Sequence, residues 1–169
     1  MSIILHWLGA IAIIAMLVTA AGVFLAPNDE IAGARIEFHA STGMLLYVLI
    51  AIRILWSWFE TKPNPLQPDR KLTVVIRIVH SALLLLIALQ LITGPLDVWS
   101  GGWPVSAFGI YTFASPFDGP RPWHNLIGDV HSFTGLAIAS LVTVHILAAF
   151  KHHFINRDRT LPRMLGKSK

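Results

Sequence analysis

His131-Ser132-Phe133-Thr134-Gly135-Leu136-Ala137-Ile138-Ala139-Ser140-Leu141-Val142-Thr143-Val144-His145-Ile146-Leu147-Ala148-Ala149 is an apolar run with a histidine near each end. Each histidine is followed four residues later by a small residue, Gly135 and Ala149. The same pairing occurs at His6 with Ala10 and at His39 with Gly43, on two other apolar stretches. On a helix turning about 100° per residue, His131 and His145 share a face to within about 40°. At about 1.5 Å per residue they lie roughly 21 Å apart. The run therefore reads as one membrane-crossing helix with a site near each end. A histidine within such a span is costly and marks function. A small residue one turn away leaves room for something flat and wide beside the imidazole.

The rest of the chain fits a membrane reading. Of 169 residues, 54% are hydrophobic and 13% charged, against about 25% charged in a soluble domain. A helix needs about 20 apolar residues to cross hydrocarbon. Four stretches meet this, roughly 3–25, 34–58, 72–95 and 128–152. The first is longer than a signal peptide's apolar core and lacks a small-residue cleavage site before a soluble domain. Trp7, Trp56, Trp58, Trp99, Trp103 and Trp123 fall at or just beyond span ends, where amphipathic rings anchor. The predicted fold class is an all-α integral membrane protein, a single domain built as a four-transmembrane-helix bundle.

Basic residues orient it. Arg53, Lys62, Arg70, Lys71 and Arg77 flank the second connection, and Lys151, Arg157, Arg159, Arg163, Lys167 and Lys169 fill the tail at 153–169 and its approach. The first connection has Arg35 and the third has Arg121. Positive charge stays cytoplasmic, so both termini are expected inside. The net charge of +4 then reflects orientation against membrane lipid, with no nucleic-acid footprint. The strip at 62–68, with three prolines, cannot be helix. The connection at about 96–127 is expected outside, long enough to cover the outer end of the bundle.

Span direction pairs the histidines by depth. His39 and His131 fall near the outer face, His6 and His145 near the cytoplasm. Four histidines matched in depth, face and small neighbour point to two haems, each held by two histidines, with Gly43 and Gly135 giving space to the outer macrocycle. The chain has no cysteine, which excludes covalent haem, cysteine-ligated clusters and disulfides, so the haems are b-type. His80 shares the inner depth, but Leu83 and Leu84 occupy its next turn. It reads as a polar neighbour of the inner site, with contact to a quinone or a propionate as the competing reading. Arg53, fourteen residues after His39, either pairs with an inner propionate or snorkels to lipid phosphate. His152, one heptad beyond His145, either meets a quinone and supplies protons or caps the helix. His124 reads as solvated or interfacial.

The segments Leu5-His6-Trp7-Leu8, Phe38-His39-Ala40-Ser41-Thr42-Gly43, Val144-His145, Lys151-His152-His153 and Thr160-Leu161-Pro162-Arg163-Met164 resemble the bacterial cytochrome b561 family over nearly the whole chain. The resemblance implies a four-span di-haem protein of the bacterial inner membrane, related to the cytochrome b subunits of hydrogenases. It implies ligands at His6, His39, His131 and His145, and a quinone site at His152 and, more weakly, His80. It also implies electron transfer between ubiquinone and a periplasmic donor, with superoxide oxidase as the family's best-defined activity. One feature departs from that activity. The outer segments carry Arg35 and Arg121 against Asp29, Glu30, Glu37, Asp97, Asp118 and Asp129, which disfavours an anion and suits a basic redox protein. Two rivals remain. One is a cytochrome b anchor subunit serving a bound dehydrogenase or hydrogenase. The other is a metal-ion transporter, which the scarcity of intramembrane acids disfavours.

Overall fold

The computed structural model describes residues 2–60 and 70–166. The proline strip at 62–68, with Lys62, and the tail residues Lys167 and Lys169 lie outside the described residues. Four long helices carry the chain: α1 (Ser2–Phe24), α2 (Asp29–Phe59), α3 (Arg70–Ser100) and α4 (His124–Phe150). All four are long and apolar enough to cross a membrane. A π-helical turn (Lys151–Ile155) and a short helix α5 (Thr160–Met164) follow α4.

Side-chain contacts fix the topology. Gly9 packs on the Arg53 stem, Thr19 meets His39, and Arg35 reaches the Gly22 carbonyl, so α1 and α2 run antiparallel. His80 meets His145, Gln90 meets Thr134, and Thr93 meets His131, so α3 and α4 do the same. His39 and His131 join the two hairpins at one end. The shared core is narrow: Ala12, Ile50 and Ile54, with Leu46, Leu84, Ile87 and Leu91 packed around them. Outward-facing apolar residues dominate, such as Val18, Leu85 and Phe133, each about two-thirds exposed or more. In water such a surface would drive association, whereas hydrocarbon solvates it.

The helices extend past the sequence boundaries for identifiable reasons. α2 begins at Asp29 because the Asn28 side chain accepts from the Ile31 amide at 2.9 Å. Asp29 and Glu30 in its first turn complement the helix dipole. α3 continues through Pro95 to Ser100, although proline removes the donor that would reach the Leu91 carbonyl. Neighbouring helices in membrane bundles tolerate such a break. The intervening connection is therefore shorter than expected and is partly ordered as a hairpin. β1 (Val105–Ala107) pairs antiparallel with β2 (Tyr111–Phe113), Ser106 opposite Thr112. Phe108 and Gly109 both take left-handed backbone at the turn, and the Ser106 hydroxyl accepts from the Gly109 amide. Val105 is buried, and Phe108 packs edge-on against Phe38 of α2 at 5.6 Å, so the hairpin rests on the bundle.

Candidate functional site

The hairpin end holds the better-defined cluster. The rings of His39 and His131 stand 6.3 Å apart, centre to centre, reaching toward each other from α2 and α4. An iron between two imidazoles sets ring centres roughly 6 Å apart, from metal–nitrogen bonds of about 2.0 Å and ring radii of about 1.1 Å.

The hydrogen bonds around these rings fix their tautomer. Thr19 Oγ1 lies 2.9 Å from the Met16 carbonyl and 2.8 Å from His39 Nδ1. The hydroxyl has one proton, and a carbonyl can only accept, so His39 Nδ1–H donates to Thr19. Thr93 repeats the arrangement, donating to the Leu89 carbonyl at 2.9 Å and accepting from His131 Nδ1 at 3.0 Å. Both imidazoles are thereby left with Nε2 as the lone-pair nitrogen, the state required of a metal ligand. Thr93 is almost fully buried, 3% exposed, so its hydroxyl is reserved for this task. Neither threonine stood out in the sequence. A hydroxyl on an apolar helix was the available signal, but its partner lies twenty residues away from Thr19 and thirty-eight from Thr93.

The small residues have specific neighbours. A Cβ on Gly43 would meet the Met16 methyl at 3.1 Å, and one on Gly135 would meet the Gln90 amide at 3.2 Å. Gln90 Oε1 accepts from the Thr134 hydroxyl at 2.6 Å, so a polar side chain lies where Gly135 leaves space. Methionine and glutamine are flexible enough to yield to a larger group. Gly94 lets α3 approach α4, since its Cβ would come within 3.3 Å of His131 Cε1.

At the other end, His6, His80, His145 and Arg53 gather. The His80 and His145 rings are 5.2 Å apart and near-perpendicular. His6 lies within electrostatic reach of Arg53, His145 and His80. Arg53 carries a buried Nη1 with no hydrogen-bond partner among the described residues. A buried unpaired guanidinium nitrogen is costly and fits an anionic partner such as a carboxylate. His152 lies beyond α4, on the π-helical turn. A heptad spacing puts His152 on the His145 face only in a regular helix, and the π-helical turn at Lys151 alters the rotation per residue. His152 Nδ1 instead meets Asp158 Oδ2 at 2.6 Å.

A cavity of about 770 Å³ opens between α2, the end of α3, the hairpin and the start of α4. Glu37, Asp97, Asp129 and His124 line it, with Trp103 and Val105 above. His124 is partly enclosed, its Nδ1 2.9 Å from Ser100 Oγ and its ring edge-on to Trp103. The two basic residues of this end are engaged elsewhere. Arg35 donates to the Gly22 carbonyl at 2.6 Å, and Arg121 stacks over Phe117 at 4.8 Å.

Four membrane-crossing helices with histidines facing one another across them define a class, the histidine-lined membrane bundle. The chain matches the family described as prokaryotic cytochrome b561 over residues 1–167. It is 34% identical over 167 residues to cytochrome b561 homolog 2 of Escherichia coli K12, covering 96% of this chain and 88% of that one. It is 26% identical to cytochrome b561 homolog 1 of the same organism, over 79% of this chain and 76% of that one. It is 27% identical to a probable superoxide oxidase of Yersinia pestis, over 78% and 74%. The chain belongs to the prokaryotic cytochrome b561 family, a family of multi-pass membrane electron-transfer proteins, and membership implies haem b.

Proposed function

We propose that this protein holds two haems b and moves electrons between a donor at the hairpin end and ubiquinone at the end carrying both termini. The carrying observation is the His39–His131 pair, spaced for an intervening iron with both Nδ1 atoms held by threonine hydroxyls. His39 and His131 would hold one haem, His6 and His145 the other. Arg53 would face a propionate of the second, which supplies the partner its buried Nη1 lacks. His80 would pack beside that haem without ligating it. His152 would meet the quinone. Excess basic charge at the second connection and in the C-terminal tail supports a cytoplasmic placement of that end in a bacterial inner membrane.

When bound, each haem iron stores one electron at a time, and the chain's own residues supply orientation and protons. Thr19 and Thr93 fix the ligand nitrogens. Arg53 offsets propionate charge. His152 delivers protons as the quinone fills with electrons. With superoxide as donor the balance is two superoxide, one ubiquinone and two protons giving two dioxygen and one ubiquinol. The choice of superoxide as donor in this superoxide:ubiquinone oxidoreductase reading draws on the likeness to the probable superoxide oxidase of Yersinia pestis.

A second reading is favoured by the cavity. Its three carboxylates, with Arg35 and Arg121 tied down, suit a cationic donor or a basic periplasmic redox protein. The protein would then be an electron carrier or the membrane anchor of a dehydrogenase or hydrogenase. The test begins with a reduced-minus-oxidised spectrum and haem count of the purified protein, expected to give two low-spin haems b. His39→Ala and His131→Ala should each remove one and the same haem, and His6→Ala and His145→Ala the other. His80→Ala should keep both. A colourless folded protein would reject the proposal. Loss of a haem in His80→Ala with His6→Ala unaffected would reject the pairing.

A further inference from the structure

The segment that follows α4 is built around one carboxylate. Asp158 is the only acid among residues 130–169, set among Lys151, Arg157, Arg159 and Arg163. Both of its oxygens are taken. Oδ1 accepts from the Thr160 amide at 2.9 Å, and Oδ2 accepts from His152 Nδ1 at 2.6 Å. The backbone closes the same ring, the Asp158 amide donating to the His152 carbonyl at 3.1 Å. Arg157 takes left-handed backbone to make the return. The Asn156 amide flanks Nδ1 at 3.3 Å, a longer and weaker approach than the carboxylate's. The His152 and Asp158 side chains are 13% and 21% exposed, so the pair is largely withdrawn from solvent. The tail beyond them is anchored to α1, where Trp7 Nε1 donates to the Met164 carbonyl at 2.9 Å. Trp7 neighbours His6, so the anchor draws the pair toward the end of the bundle that carries the second histidine cluster.

We propose that Asp158 is the positioning residue that sets His152 as the proton donor of the quinone site. The inference rests on the reading of His152 as the residue that meets quinone. The carboxylate holds Nδ1–H, which fixes the ring plane and turns Nε2, on the opposite edge, away from the tail. With Nδ1 so held, Nε2 is the ring nitrogen that carries the transferable proton. In each turnover the quinone takes two electrons from the haem pair and two protons. The N–H bond at Nε2 breaks and an O–H bond forms on the quinone. His152 is left neutral, its remaining proton on Nδ1 and donated to the Asp158 carboxylate, and water from the cytoplasmic side reprotonates Nε2 before the second transfer. The π-helical turn has a role in this scheme. It widens the helix at Lys151–Ile155, so that the chain can fold back and bring a residue six positions on against the ring.

The experiment uses the haem-loaded protein in lipid nanodiscs with a water-soluble ubiquinone analogue, comparing wild type, Asp158→Asn, Asp158→Glu and His152→Ala. Asp158→Asn should keep both haem spectra and leave quinone KM within about twofold. It should lower kcat by at least about tenfold, the scale of lost general-acid catalysis. The solvent deuterium isotope effect on kcat should rise, and Asp158→Glu should restore most of the rate. A readout free of turnover is the downfield Nδ1 proton of His152 in the reduced, diamagnetic protein, present in wild type and lost in Asp158→Asn. Wild-type kcat in Asp158→Asn with a slow His152→Ala would overturn the role of Asp158 alone. A raised KM with unchanged kcat and isotope effect would also overturn it, leaving Asp158 a tail anchor. Wild-type rates in His152→Ala would overturn the quinone reading and this inference with it.

Discussion

At the scale of single residues, the hairpin-end histidines depend on hydroxyls as much as on their own nitrogens. Thr19 and Thr93 each relay a proton on Nδ1 to a backbone carbonyl, which holds the tautomer with Nε2 available. Valine is nearly isosteric with threonine and has no acceptor. Thr19→Val and Thr93→Val are therefore expected to leave the helices folded and to weaken haem retention at His39 and His131 by about 10- to 100-fold, the usual cost of losing such a partner. Thr143→Val removes a hydroxyl that only returns to its own helix at the Ala139 carbonyl, and should change nothing. Haem titration of the apoprotein measures all three. Equal affinity in the Thr93 and Thr143 variants would show that tautomer control is not what Thr93 does. Arg53→Gln belongs at the same scale. It should retain the second haem and change its midpoint potential, because a neutral amide no longer offsets a propionate. An unshifted redox titration would return Arg53 to a lipid-facing role.

Secondary-structure elements were legible to different degrees, and the reasons are physical. Long apolar runs announce membrane helices because about 20 residues must satisfy one thickness of hydrocarbon. The run around His131 and His145 lies within α4. The Asn28-Asp29-Glu30 start of α2 carried a readable cap signal that lengthens the helix beyond its apolar portion. The Pro95 passage was not legible, because proline usually ends a helix and only neighbours can keep it. Nor was the π-helical turn, since a single wide turn leaves no periodic trace over five residues. The pairing of His39 with His131 followed from span direction, whereas Thr19, Thr93 and Gln90 needed the packed helices to be found. The tail offers a test at this scale. Burial works against charge on Asp158, but the Thr160 hydroxyl and amide and His152 outweigh it and hold its carboxyl below the usual aspartate range. A lowered folded value contributes stability above the unfolded value, lost as pH falls through the folded one. The Thr160 amide should keep a constant exchange protection factor from about pH 8 to about pH 5 and lose it only below the ordinary aspartate range. Loss of protection near neutral pH would show that another group closes the tail.

For the whole molecule, charge is divided between the two ends, and the division bears on the electron donor. The hairpin end counts Asp29, Glu30, Glu37, Asp97, Asp118 and Asp129 against Arg35 and Arg121. The arginines are held by neutral partners, Arg35 by the Gly22 carbonyl and Arg121 by the Phe117 ring, while Glu37, Asp97 and Asp129 share one cavity. A field of that sign repels superoxide and attracts a cation, and ions screen it over about 8 Å at physiological ionic strength. Haem reduction by a cationic donor, such as a basic cytochrome c, should therefore slow as salt is raised. Reduction by superoxide in pulse radiolysis should stay flat or accelerate over the same series. Glu37→Gln with Asp129→Asn should flatten the first dependence and speed the second reaction at low salt, with both haem spectra unchanged. The opposite signs would mean that a local basic spot governs capture, and Arg35→Gln or Arg121→Gln should then slow superoxide reduction. If superoxide reduces neither haem at any ionic strength, the superoxide reading fails for this chain, and a periplasmic redox protein becomes the donor to pursue.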